Sequence, residues 1–418
     1  MTEPARPAAR RSLGSFVTRI AMTPLGFLAT GASTRAMGTD DRGAFALAMV
    51  TTVAVCTVLG SPGAAALVRL RQSGDDREAV LAAGARLSDR FAVVSVVLTA
   101  ALLAGLGTDR PWLLVLCAGA PALVVSQTRT SYALLGRRND QVNRAQLAGV
   151  LLTLSVTVAV AATGAGLIAA AVGWVGGQLL TLVLLPRARN AAATAPALLG
   201  TALRLGTVNG ISLLNYRVEL LLLETLLGKT EVGVYSISIA VAELLWLASS
   251  AIATTMTAHI VETDRDSAVR GIARGMGLTT TVALGAASVL SGSAFAIPAV
   301  FGTAYDEAVL PTLVLLPGVV AFAPAALLAQ YFTVVQGRTR VSLAASLLST
   351  TVTALGCAAL IPTWHIEGAA LASTMGYAVS MAWATWLFLR TEKLRLADVL
   401  PGRSSLTELG GLVRTRRR

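Results

Sequence analysis

Apolar runs recur along this chain, and a run of about 20 residues is the length that carries a helix across the hydrocarbon core of a bilayer. In lipid each backbone N–H and C=O has to be paired within the segment, so such runs must be helical. They predict spans at about 12–36, 43–68, 86–106, 111–135, 146–163 and 165–186. Six more follow at about 203–227, 232–257, 276–298, 307–335, 341–361 and 366–389. With 55% hydrophobic and only 13% charged residues, the chain leaves no room for a sizeable soluble domain. The expected fold class is an all-α polytopic membrane protein with about twelve transmembrane helices, in two six-helix lobes with a central cavity.

Charge tests that count. Lys and Arg collect on the cytoplasmic side of spans. Laid on the predicted spans, twenty-seven of them fall on one side. Only Arg42, Arg110 and Lys229 fall on the other, and Arg19, Arg35, Arg129 and Arg217 lie in or at the ends of spans. A miscounted span would scramble this asymmetry. Both termini are therefore expected in the cytoplasm, with the protein in the cell (plasma) membrane. The net charge of +12 is accounted for by these loops and by attraction to anionic membrane lipids, and no nucleic acid is implied. After a polar, basic start (1–11), residues 12–36 read as a first span rather than a cleaved leader, because the run is long and lacks a small-x-small exit site.

The halves repeat. LGKTEVGVY (Leu227 to Tyr235) matches MGTDDRGAF (Met37 to Phe45), pairing Gly228 with Gly38, Gly233 with Gly43 and Tyr235 with Phe45. Each string falls at the turn between the first and second spans of its half, a layout common in carriers built from repeats. The expected domains are an N-terminal six-helix lobe (1–186), a cytoplasmic linker (187–200), a C-terminal six-helix lobe (201–389) and a basic tail (390–418).

No phosphate-binding GxxxxGK[ST] loop, HExxH or GxSxG is present, so no enzyme chemistry is indicated. Cys56, Cys117 and Cys357 are isolated in apolar runs and the two histidines are scattered. Neither disulfide, metal nor cofactor is expected. Prolines Pro24, Pro311, Pro317 and Pro324 mark spans one and ten as bending points.

Polar residues inside the spans are the candidates for function, since a charge at membrane depth costs roughly 3 kcal/mol on insertion scales and normally faces a cavity or a partner. Asn209, Ser212, Tyr216 and Glu219 are spaced to share one helical face of span seven. Span eight carries Ser236, Glu243, Ser250, Thr254 and Thr257 in a similar line. Gln127 accompanies Arg129 in span four, and Arg19 marks span one. Arginines around a wet cavity suit a phosphate group. Arg19, Arg129 and Arg217, with Asn215 and Tyr216, are the expected substrate contacts. Glu219, Glu224 and Glu243 are expected as counter-charges or proton carriers. The competing reading makes Arg217 a structural partner of one of these carboxylates, or a side chain that reaches to the interface.

These residues also carry a resemblance. NYRVELLLLETLLGKTEVGVYSISIAVAELLW (Asn215 to Trp246) resembles the seventh and eighth spans of the polysaccharide repeat-unit flippases, in the multidrug/oligosaccharidyl-lipid/polysaccharide exporter superfamily. FGTAYDEAVLPTLVLLPG (Phe301 to Gly318) and LLGRRNDQVN (Leu134 to Asn143) are similar to that family's outer turn with tenth span and its inner turn after span four. Glu219 stands where relatives often carry aspartate. The resemblance implies a carrier that moves undecaprenyl-(pyro)phosphate-linked oligosaccharide from the inner to the outer leaflet by alternating access. It also implies a polysaccharide polymerase or glycosyltransferases as partners. Three alternatives stand beside it. One is an exporter of small amphipathic cations, which would want carboxylates to dominate the cavity. Another is a membrane enzyme, which would want a long outer loop. The last is a non-transporting component of a polysaccharide-synthesis complex.

Overall fold

The structure, a computed structural model, describes residues 25–72, 75–105, 111–136, 138–187, 198–246 and 264–401, together with 249, 252 and 253. It is all-α: no strand occurs among the described residues. The chain divides into two compact units, Met1–Arg217 and Val218–Arg418.

In the amino-terminal unit, a helix over 25–35 (α1) is followed by Thr39–Leu59 (α2), Pro62–Gln72 (α3), Arg77–Gly105 (α4) and Pro111–Leu135 (α5). Asn139–Ala161 (α6), Gly166–Leu184 (α7) and Leu199–Leu214 (α8) complete it. The second predicted span is bent between α2 and α3, where a Cβ on Gly60 would lie 2.7 Å from the Cys56 carbonyl oxygen and 2.5 Å from the Gln127 amide carbon. Pro62 opens the new helix, where its missing N–H costs nothing.

The carboxy-terminal unit contains Val218–Leu227 (α9), Lys229–Glu243 (α10), Arg265–Ala294 (α11), Ile297–Phe301 (α12), Val309–Phe322 (α13) and Ala325–Gln330 (α14). A final helical stretch, Thr339–Glu392, turns at His365, whose φ of 47° and ψ of −130° separate an arm over 339–364 (α15) from one over 366–392 (α16). Of the prolines expected to bend span ten, Pro311 sits in the first turn of α13, Pro317 lies inside it, and Pro324 marks the break before α14. Pro24 lies outside the described residues.

Eight helical stretches of the described residues are long and apolar enough to cross a membrane, and the last of them, 53 residues long, holds predicted spans eleven and twelve. The remaining three predicted spans correspond to α1, to α8 with α9, and to α10. Helices α4 and α11 begin well before their predicted spans, at Arg77 and Arg265. Their first turns are polar and basic, and Asp264 caps α11 by accepting from the Ser267 N–H at 3.1 Å. The Ser267 hydroxyl first, and then this N–H, hold the exposed Asp264 carboxyl below the usual carboxylate range.

The internal repeat is structural as well as textual. Gly38 and Gly228 occupy the same position, immediately before helices that start at Thr39 and Lys229. Further along, α6 and α7 approach through glycines: a Cβ on Gly177 would strike the Thr153 hydroxyl and come within 2.7 Å of the Gly149 carbonyl oxygen. Helices α15 and α16 use the same device, because a Cβ on Gly376 would strike the Thr353 hydroxyl and lie 2.8 Å from the Ser349 carbonyl oxygen. Lipid gives apolar helices no reason to leave it for each other, so close backbone approach and dispersion supply the packing energy.

At one end of the carboxy-terminal unit, Glu392 ties three elements together. It accepts from Arg265 at 2.7 Å, from Gln336 at 3.1 Å and from the Tyr331 hydroxyl. Tyr331 is fully buried, packed edge-on against Phe388 with ring centroids 4.7 Å apart. It opens a π-helical turn, Tyr331–Val335.

The glycine seam yields a direct test. Gly177→Val is expected to destabilise the protein by about 1–3 kcal/mol or more through overpacking. By contrast, Gly285→Ala, on α11 where a Cβ meets nothing within 4 Å, should leave the melting temperature unchanged or raised. Differential scanning fluorimetry of the detergent-solubilised variants checks both.

Candidate functional site

The seventh predicted span is two helices. Helix α8 stops at Leu214 and α9 starts at Val218, leaving Asn215, Tyr216 and Arg217 at the break. The N–H groups of Tyr216 and Arg217 reach back only three residues, to the carbonyls of Leu213 and Leu214 at 3.0 Å each. This tightening ends the α pattern. Asparagine favours such an end because its side chain competes with the helix for backbone partners. Asn215 is 1% exposed, and its Oδ1 has no hydrogen-bond partner among the described residues. Arg217 is half-buried and donates from Nη1 to the Tyr216 carbonyl at 2.9 Å.

The break changes the expected single face of span seven. Asn209 is exposed on α8, and Ser212 is half-buried with its hydroxyl donating to the Val208 carbonyl at 3.0 Å. Across the break, in the carboxy-terminal unit, Glu219 lies in the first turn of α9 and is 2% exposed. There α9 packs on α15, and the Glu219 charge reaches the Cys357 thiol. Glu224 is half-buried on α9, and Glu243, also half-buried, closes α10. In span eight, Ser236 is buried and donates to the Gly233 carbonyl at 2.7 Å. Arg19, Ser250, Thr254 and Thr257 lie outside the described residues.

Arg129 is tied to α7. Its Nη1 donates to the Leu182 carbonyl at 2.8 Å, one of the terminal carbonyls that α7 cannot satisfy internally. Asp89 and Arg187 are its charged neighbours. Near the Gly228 turn, Glu231 is held above the usual carboxylate range by burial first and then by Glu307, against the opposing pull of His365.

Two hollows belong to the amino-terminal unit. An apolar one of about 390 Å³ is bounded by α2, α4 and α8, with Val58, Leu98, Ile211 and Leu214 among its walls. Leu214 is the residue immediately before the Asn215–Arg217 break. The other, about 460 Å³, lies among α5, α6 and α7 and is lined by Gln127, Gln146, Gln178 and several hydroxyls, with no charged residue. Of the glutamines only Gln127 stood out in the sequence reading. The overlooked signals were a primary amide within an apolar run at Gln178 and one at the start of a predicted span at Gln146.

These helices define a multi-pass membrane protein. No family model matches the sequence, and no curated protein is similar to it. Solved structures are similar to it, and its fold is that of the MOP-superfamily transporters. Lipid II flippase MurJ, in an inward closed conformation, superposes with a TM-score of 0.74 at 12% identity over 93% of this chain and 89% of that one. An inward-facing multidrug resistance MATE family transporter matches with a TM-score of 0.69 at 14% identity, over 90% of this chain and 99% of the other. A MOP superfamily transporter from Pyrococcus furiosus, described as having a binding pocket of reversed polarity, gives 0.69 at 14% over 92% and 94%. None of the three is an enzyme.

A buried amide oxygen without a partner costs roughly 1–3 kcal/mol, and such groups persist where function needs them. Asn215→Leu is therefore expected to keep or raise the melting temperature. Differential scanning fluorimetry of that variant beside wild type checks it.

Proposed function

We propose that this protein is a flippase. It carries undecaprenyl-(pyro)phosphate-linked oligosaccharide from the inner to the outer leaflet by alternating access, for exopolysaccharide or cell-surface glycan synthesis. The observation that carries the reading is the junction at Leu214–Arg217, where Leu214, in the wall of an apolar hollow, is followed in the chain by a buried amide and a half-buried guanidinium. A lipid phosphate has that same polarity: a hydrocarbon tail joined to an anion. Discontinuous spans are also how membrane carriers build polar sites.

In this reading Arg217, with Asn215 and Tyr216, receives the phosphate. Arg19 and Arg129 supply further positive charge, since Arg129 commits one of its five N–H donors to Leu182 and keeps four. Glu219, Glu224 and Glu243 act as counter-charges or proton carriers. The membrane potential is a candidate driver, at about 2.3 kcal/mol per charge moved through 100 mV. The fold shared with a lipid II flippase supports the cargo class. The termini lie in the cytoplasm of the cell membrane, beside the glycosyltransferases or polymerase that make and use the cargo.

A second reading, export of amphipathic cations, is favoured by the MATE likeness and by the buried Glu219. A leaflet-resolved assay in proteoliposomes decides between them. Wild-type protein should translocate undecaprenyl-pyrophosphate-linked sugar, and Arg217→Ala should slow it by at least about tenfold through loss of a charge-assisted contact. Extrusion of a cationic dye with no movement of the lipid-linked sugar would establish the second reading. Normal flipping by a well-folded Arg217→Ala would remove Arg217 from the site.

A further inference from the structure

The cavity among α5, α6 and α7 is neither a phosphate site nor a lipid groove. Its walls carry no charge, so nothing in it pairs with an anion or a cation. Gln127, Gln146 and Gln178 are among its lining residues, with the Gln127 amide oxygen turned toward Gly60, and unpaired amides disfavour a hydrocarbon chain there. None of these three amides makes a hydrogen bond among those found for the described residues, whereas the nearby threonines are committed. Thr153 donates to the Gly149 carbonyl at 3.0 Å and Thr181 to the Gly177 carbonyl at 2.8 Å.

Each glutamine offers one carbonyl acceptor and two N–H donors. Three of them, from three helices, therefore form a neutral set that both donates and accepts. A sugar hydroxyl also does both, and the C–H faces of a sugar ring suit the walls formed by Leu123 and Val150. The volume of about 460 Å³ falls within the range of small-molecule pockets, roughly 300–1,000 Å³.

We infer that this cavity is a glycan subsite, in which the amides of Gln127, Gln146 and Gln178 hold neutral sugar residues of the cargo. The assignment rests on the flippase reading for its cargo, but binding tests it separately. The glycine seam gives the site a fixed frame: Gly149 and Gly177 set the spacing of α6 and α7 and also line the cavity.

The test uses purified full-length protein in lipid nanodiscs and equilibrium binding of radiolabelled free neutral trisaccharides (maltotriose, cellotriose and mannotriose). Wild-type protein is expected to bind at least one saturably. Gln146→Ala/Gln178→Ala should weaken that binding by at least about tenfold, as the loss of two hydrogen-bonding groups implies. Gly285→Ala, on α11 where a Cβ meets nothing within 4 Å, should bind as wild type does. The isosteric Gln178→Glu, with thermal unfolding of every variant, separates loss of the site from loss of the fold. No saturable binding by wild type means a cavity that holds water only, and overturns the inference, as does binding that the double substitution leaves intact. If sugar binds through the glutamines but the proteoliposomes move no lipid-linked sugar, the flippase reading fails and the subsite stands. If lipid-linked sugar is moved equally well by the double variant, the flippase reading stands and the subsite falls.

Discussion

Hydrocarbon offers no hydrogen bonds, and that constraint governs this molecule. Each backbone group at membrane depth needs a partner supplied by protein, which is why a continuous helix is the default and each interruption needs explanation. Here the interruptions are local and chemically specific. The Gly60 bend lies under the Gln127 side chain. Pro324 divides α13 from α14. At Asn215–Arg217, backbone N–H groups shift to carbonyls three residues back. In each case the helix gives way where a side chain has a use for the space or the polarity.

Packing follows from the same constraint. With no aqueous phase to drive apolar helices together, contact must come from backbones that approach closely, and small residues permit it. Thr153 with Gly177 in one unit and Thr353 with Gly376 in the other show the solution used twice, each threonine hydroxyl lying where a glycine has no side chain. The amino-terminal copy of this seam runs beside the glutamine-lined cavity. The carboxy-terminal copy joins the two arms that turn at His365. A duplicated scaffold thus carries different side chains in its two copies, and the difference is where function enters.

Much of this was legible in the sequence. Apolar run length located the spans, because it reports the lipid environment that each residue must satisfy. The match of Gly38 to Gly228 found the repeat, and those glycines do precede equivalent helices. Helix ends were less legible. Hydropathy reports lipid contact rather than helicity, so the polar first turns of α4 and α11 escaped it. The break in span seven was hidden from hydropathy because a span-length average is dominated by the apolar residues on either side of it; only the Asn-Tyr-Arg string marked the place. The partner of Arg129 could not be read at all, since a bond to the Leu182 carbonyl depends on where α7 ends in space. The glutamine cavity was equally hidden, because which faces of three consecutive helices meet is set by their packing.

The account depends on water reaching the break in span seven. Single cysteines in a background lacking Cys56, Cys117 and Cys357 test this through their rates of modification by a charged, membrane-impermeant thiol reagent. Tyr216→Cys should react readily, while Leu284→Cys, exposed on the apolar surface of α11, should react only with a lipophilic reagent. If Tyr216→Cys resists the charged reagent and accepts only the lipophilic one, the break is dry and the proposed site is contradicted.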